Sequence, residues 1–264
     1  MKRFIAAALA CSFFVSLIPH ANAHFPWLTI GEDGRALYFF GETPADQTYK
    51  LPPSITKAQI QTVDGSSKSS RLGFEPVEND EFVGMTSTAS VDRGDSLVSK
   101  VTYGIYHGSR LDYYTQYQGG RLPTKCDGTA LPLDLQARAV DTGSGVDVYV
   151  YWKGKPLADA SVQLFCDDGH EEGKGSTDKD GKVSFSDDQV EEGLNGILVG
   201  HTEQTTGKFR DQAYDSVAHY LTMTFLDPRS YTETSDSETS DSATSDSISV
   251  TDNKFPPIPQ TVTS

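Results

Sequence analysis

The chain has 264 residues, with 37 Asp and Glu against 22 Lys and Arg, and a formal charge of -15. That balance excludes a nucleic-acid binder, because phosphate recognition needs clustered Lys and Arg and the sequence offers no basic patch; cations are the better partners. At 36% hydrophobic, with 23 Gly and 13 Pro, the composition suits one or two packed, turn-rich β domains.

The opening residues read as an export signal. Lys2 and Arg3 precede an apolar run from Phe4 to Ile18, too short to span a bilayer, and Ala21-Asn22-Ala23 is a small-x-small site for signal peptidase. Residues 1–23, Cys11 included, are expected to be removed, leaving the mature chain in the periplasm or outside the cell with no transmembrane segment. Cleavage makes His24 the first residue, and its free α-amine and imidazole Nδ1 form a ready chelate for one metal ion.

Along the mature chain the β signal is continuous. Gly31-Glu-Asp-Gly34 followed by Arg35-Ala-Leu-Tyr-Phe-Phe40 predicts a hairpin over 28–41, 57–63 a strand, 64–70 a polar turn and 82–89 a further strand. Leu97 to Tyr106 alternates well, His107-Gly108-Ser109-Arg110 makes a turn, and Leu111 to Tyr117 returns rich in aromatics. The first domain is expected to end near Arg138. Beyond it, Val146 to Trp152 is a strand, and Gly154 to Phe165 a turn plus strand. In Thr177-Asp-Lys-Asp-Gly-Lys-Val-Ser-Phe185, Asp180-Gly181 is a hairpin turn and Val183 and Phe185 point inward. A calcium loop at Asp178-x-Asp180-Gly181 lacks the later ligands of an EF-hand. From Ser235, Ser-Asp-Ser repeats every five residues, which predicts a disordered, acidic tail.

The mature cysteines are Cys126 and Cys166. In an oxidising compartment a disulfide is their expected use, closing a loop of about 40 residues and worth ~3 to 4 kcal/mol by chain entropy. No nucleophile elbow, zinc-protease helix, phosphate loop or dinucleotide fingerprint occurs, so the chain reads as a binding protein and not an enzyme. His107 and His170 sit in turn-like contexts and are left out of the site. His201 ends a strand from Ile197, and His219 lies in the strand Tyr214 to Phe225. With His24 they are the candidate ligands.

Two resemblances bear on this reading. Gly-x-Pro-Leu-x-x-Ala-x-Val from Gly154, followed by Thr-Asp-x-Asp-Gly-x-Val-x-Phe from Thr177, resembles the prealbumin-like sandwich modules that accompany secreted carboxypeptidases and adhesins, which are structural scaffolds. His24-Phe-Pro-Trp-Leu28, Leu37-Tyr-Phe-Phe-Gly-Glu42, Thr102-Tyr-Gly-Ile-Tyr106, Gly200-His-Thr-Glu203 and Tyr214-Asp-Ser-Val-Ala-His-Tyr220 are similar to the exported family called domain of unknown function 4198. That resemblance covers about residues 24–227. It implies a periplasmic component of nickel or cobalt uptake, with His24, His201, His219 and Glu42 at the family's motif positions. The Ser/Asp tail and the cysteine pair depart from the family pattern.

The expected organisation is all-β, with two β-sandwich-like halves. It comprises a signal peptide (1–23), an N-terminal β domain (24–138), a prealbumin-like sandwich of immunoglobulin-like architecture (139–230) and a disordered tail (231–264). The expected function is binding of one divalent transition metal (Ni, Co or Cu) by the amine and imidazole of His24 and the imidazoles of His201 and His219. Glu42 or Asp215 would be a weak or outer ligand, and a membrane metal transporter a possible partner. An extra residue before His24 should then weaken binding sharply. The alternatives are a structural cell-envelope protein without metal function, and a copper monooxygenase built on a histidine brace.

Overall fold

The computed structural model of the chain describes residues 23–126, 131–227 and 229. The expected signal segment up to residue 22 and the Ser/Asp-rich tail lie outside the described residues. The chain is all-β. In order, the strands are β1 Phe25–Ile30, β2 Arg35–Gly41, β3 Gln61–Val63, β4 Ser69–Arg71, β5 Phe74–Glu78, β6 Val83–Ser90, β7 Ser96–Tyr106, β8 Ser109–Gln118 and β9 Leu135–Asp141. They continue with β10 Gly145–Trp152, β11 Lys155–Pro156, β12 Ser161–Phe165, β13 Glu171–Ser176, β14 Lys182–Ser186, β15 Leu194–Glu203, β16 Gly207–Phe209, β17 Gln212–Tyr214 and β18 Ser216–Leu226. Among the described residues no helix is long and apolar enough to cross a membrane.

A central eight-stranded sheet, ordered β13-β12-β15-β18-β8-β7-β3-β4, carries a second sheet on each face. Strand alternation explains how one sheet serves two cores. In β8, Tyr113 and Tyr117 join the cluster of Trp27, Tyr38 and Phe39 from the β1-β2-β6-β5 sheet. Tyr114, between them, joins Leu135, Val148 and Leu164 on the side of the β9-β10-β14 sheet. β18 divides likewise, with Tyr220 on the first side and Leu221, Met223 and Phe225 on the second.

Polar ties lock the layers. Thr222 and Thr224 donate their hydroxyls to the Pro26 and Leu28 carbonyls, fixing β1 across β18. On the other face β9 is an edge strand, and the buried amides of Gln116 and Gln118 complete it. Gln118 donates to Ala139 O at 2.8 Å and accepts from Ala139 N at 2.9 Å, so the side chain substitutes for a missing strand. At the β7–β8 hairpin, His107 and Gly108 have φ of 47° and 83°, the two-residue turn whose twist matches the strands it joins.

The expected division at residue 138 does not divide the structure. Arg138 lies inside β9, and β18 from the second half pairs in parallel with β8 from the first, His219 opposite Asp112. The described residues therefore form one layered unit whose central sheet takes strands from both sequence halves. Two local expectations also change. Only Gln61–Val63 of the 57–63 segment is strand, because Ile55–Lys57 turns to bury Ile55. Asp180-Gly181 is a turn, but its flanking strands belong to different sheets, β13 pairing with β12 and β14 with β10.

The expected disulfide is absent. Cys126 Sγ lies 3.1 Å from Tyr151 Oη, beside Trp152. Cys166 follows Phe165, which pairs with Gly196 five residues before His201, the residue whose ring meets Trp152. The two thiols thus sit among different neighbours. Both thiols are free.

Candidate metal centre

His201 and His219 are direct partners in the antiparallel β15–β18 ladder and point to the side of the β9-β10-β14 sheet. Their rings stack with centroids 6.0 Å apart and planes inclined by 22°. Trp152, at the end of β10, covers both, 4.4 Å from the His219 ring and 5.1 Å from the His201 ring. His219 is only 3% exposed, whereas His201 is half-buried at the strand end.

A carboxylate stands on each side of the His219 ring. Glu203, two residues beyond His201 and so on the same face, places Oε2 3.4 Å from His219 Nε2. Its Oε1 accepts from Trp152 Nε1 at 3.2 Å and Lys153 Nζ at 3.4 Å. On the far side, Nδ1 lies 3.3 Å from Tyr114 Oη and 3.9 Å from Asp112 Oδ2. Asp112 is 3% exposed and is fixed by Thr102 Oγ1 and Arg110 Nη2, each at 2.7 Å. His219 Nε2 is buried without a well-formed hydrogen bond.

Electrostatics keep both imidazoles neutral at neutral pH. Burial lowers the His219 pKa below 6.5, and the opposing attraction of Asp112 and Glu203 does not restore it. Burial also lowers that of His201, against the pull of Glu203 and with help from Lys153. For Glu203, burial acts upward, yet Lys153 and Trp152 hold its carboxyl below the ordinary value. The arrangement therefore presents two neutral nitrogen donors and one carboxylate. Ligation through Nε2 requires the His219 proton on Nδ1, where the Tyr114 hydroxyl is the hydrogen-bond partner and Asp112, 3.9 Å away, contributes charge.

His24 is elsewhere. Its ring lies beside Tyr49 at 3.8 Å and Phe40 at 5.8 Å, and its Nε2 is 3.8 Å from Glu42 Oε1. With Phe25, Phe40, Tyr103, Tyr113 and Tyr220 it lines a cleft of about 290 Å³. Phe25 packs on Tyr220 at 5.2 Å, and Tyr220, next to His219 in β18, necessarily points to the opposite face. The central sheet thus stands between His24 and the His201–His219 pair. The expected four-residue centre resolves into two pairs, His24 with Glu42 and His201 with His219. The brace geometry of a copper monooxygenase, which needs a second histidine beside the N-terminal one, is not assembled. Asp215 is also apart, its N–H bonded to Gly108 O at the β7–β8 turn.

Sequence reasoning missed Glu203, Asp112, Tyr114 and Trp152 as neighbours of the pair. Only Glu203 had a readable signal, since i and i+2 in a strand share a face; the others come from strands distant in sequence. It also set aside His170, whose ring nitrogen, Cys166 Sγ and a Glu172 oxygen lie within 4.8 Å of one another.

No protein-family model and no curated protein matches the chain. Among solved structures, a biofilm-associated protein BSP domain is similar at 9% identity and a TM-score of 0.18, covering 75% of this chain and 29% of that one. The FN1–FN3 domains of chicken CNTN1 are similar at 9% identity and a TM-score of 0.19, covering 75% of this chain and 67% of that one.

Proposed function

We propose that the chain is an exported protein that binds one divalent transition metal through His201, His219 and Glu203, as an accessory to nickel, cobalt or copper uptake or handling. The observation that carries this reading is the convergence of a buried imidazole, a second imidazole stacked on it and a carboxylate, with Glu203 Oε2 3.4 Å from His219 Nε2. Closing the pair on one ion requires a rotation of the half-buried His201 ring, while His219 stays fixed by its neighbours. The nearby Lys153 ammonium opposes a cation, which would take its place on Glu203 Oε1. The resemblance of the His24, His201 and His219 motifs to the domain of unknown function 4198 supports export and metal handling. The reading assigns binding and no turnover.

Such a donor set follows the usual divalent order with copper at its peak, so the ion carried in the cell is set by supply and by the partner. The test is to produce the chain with its own leader, establish the mature start by mass spectrometry, and titrate Ni(II), Co(II), Cu(II) and Zn(II) by calorimetry. Submicromolar binding of one equivalent that disappears in His201→Ala and His219→Ala is expected. Binding that is weak and indifferent to both substitutions would leave a structural envelope protein.

A further inference from the structure

At the opposite end of β15 from His201, the β12–β13 hairpin turns through Cys166-Asp167-Asp168-Gly169-His170. Cys166 N donates to His170 O at 3.1 Å and Gly169 N to Cys166 O at 3.0 Å, with Gly169 at φ 82°. The turn packs against the loop after β2, since a side chain at Gly169 would meet Thr43 Oγ1 at 2.5 Å. This closure brings the two ends of the turn, a thiol and an imidazole, together. Cys166 is 0% exposed, whereas His170 is exposed.

Around the thiol the surroundings are polar. Burial pushes the Cys166 thiol pKa up, the backbone N–H groups of His170 and Asp168 pull it the other way, and Glu191 and Glu172 favour the protonated thiol. Cys166 Sγ, a His170 ring nitrogen and a Glu172 oxygen lie within 4.8 Å of one another, and the same is true of Cys166, Asp167 and Glu191. A buried cysteine acting only as a small apolar side chain would be lined by carbon. Here one sulfur stands at the junction of an imidazole and three carboxylates, a setting in which a metal ion, and not the protein alone, would hold it as a thiolate.

We propose that Cys166, His170 and Glu172 form a second divalent-metal site that prefers Zn(II) or Co(II) over hard, oxygen-seeking ions. Mixed sulfur, nitrogen and oxygen donors in this number are the donor types of zinc sites, whereas calcium and magnesium take oxygen alone. Binding would release the thiol proton to solvent and leave the thiolate on the metal. The site is independent of the His201–His219 pair, roughly 17 Å along β15, and stands or falls separately from the function proposed above.

Sulfur gives this site a signature that the histidine pair lacks. The full mature chain carrying Cys126→Ser, reduced and free of oxygen, is titrated with Co(II) while the near-ultraviolet sulfur-to-cobalt charge-transfer band is followed. The band is expected to saturate at one equivalent, to survive His219→Ala, to vanish in Cys166→Ser, and to need at least about tenfold more cobalt in His170→Ala or Glu172→Gln. Because His170 is exposed, its substitution tests the site even if Cys166→Ser fails to fold. Absence of the band in folded, reduced protein, or a band whose cobalt dependence is unchanged by both His170→Ala and Glu172→Gln, would overturn the proposal.

Discussion

His219 and Tyr220 are adjacent in β18 and belong to different layers. The His219 ring lies 4.4 Å from Trp152 of the β9-β10-β14 sheet, while Tyr220 lies 5.2 Å from Phe25 at the start of the chain. Residue 24 is thus kept with Tyr49 and Glu42, on the far side of the sheet from both strand histidines.

This separation makes a direct prediction for metal binding at the pair. His24→Ala, or one extra residue left before His24, is expected to change affinity there by less than about twofold, because neither touches a donor. His219→Ala should lower it at least about a hundredfold, by removing the buried nitrogen that Tyr114 holds in place. Calorimetry on the three variants checks this, and a sharp loss on extending the N-terminus would restore the amino-terminal chelate.

Lys153 supplies a second test. Its ammonium lies 3.4 Å from Glu203 Oε1 and 4.5 Å from the Trp152 ring centroid, so it occupies the charge that a cation would use. Lys153→Ala is expected to strengthen metal binding about two- to fivefold, a modest gain because the side chain is largely exposed and screened. The gain should shrink as salt is raised. Weaker binding in this variant would mean that Lys153 organises Glu203 for the ion instead of competing with it.

Much of this fold is legible in the chain because its strands announce themselves locally. The β7–β8 hairpin is written in the alternation on either side of His107-Gly108, and β10, β15 and β18 in their Val, Ile, Leu and aromatic runs. Long-range pairing is not written in the same way. Nothing local to Ser216–Leu226 reveals that its neighbour is Ser109–Gln118, in parallel, after an excursion of about a hundred residues. The sequence therefore suggests two halves where the sheet makes one unit. For the site, His201 and His219 are readable as strand histidines, and their pairing follows once β15 and β18 are neighbours. The face that β1 covers depends on the layers, which is why His24 cannot be placed from its motif.

The buried histidines also predict how stability varies with pH. Burial lowers the pKa of His219 and of His201 from the ordinary 6.5, so as pH falls the unfolded chain takes up protons before the folded one. Their contribution is fully present above about pH 6.5 and declines as pH falls from there toward the folded values. Metal-free protein should therefore lose stability as pH falls below about 6.5. His219→Gln should flatten that slope relative to the parent chain in urea titrations at fixed pH. An unchanged slope would show that His219 charges in the folded state without cost.

The same layering predicts what happens when the chain is cut at its apparent boundary. A fragment of residues 139–230 would retain β10 to β18, but β18 would lose the whole β8 ladder from Ser216↔Ser109 to Phe225↔Gln118. β10 would lose most of β9, and the Tyr220 side of β18 would lose Phe25 and Tyr113. β18 would keep β15 on one side, but its other edge would be unpaired and its Tyr220 face uncovered, which together make an aggregation edge. The fragment should remain unfolded or associate, unlike a self-standing sandwich module. In the intact chain, Gln118→Leu should cost about 2–4 kcal/mol, since it leaves both the N–H and the carbonyl of Ala139 without their buried partner. Urea unfolding of the variant and the NMR spectrum of the fragment make the comparison. A monomeric fragment with dispersed resonances and cooperative unfolding would show that the second half specifies its own core, and that the β8–β18 ladder is a docking contact between two modules.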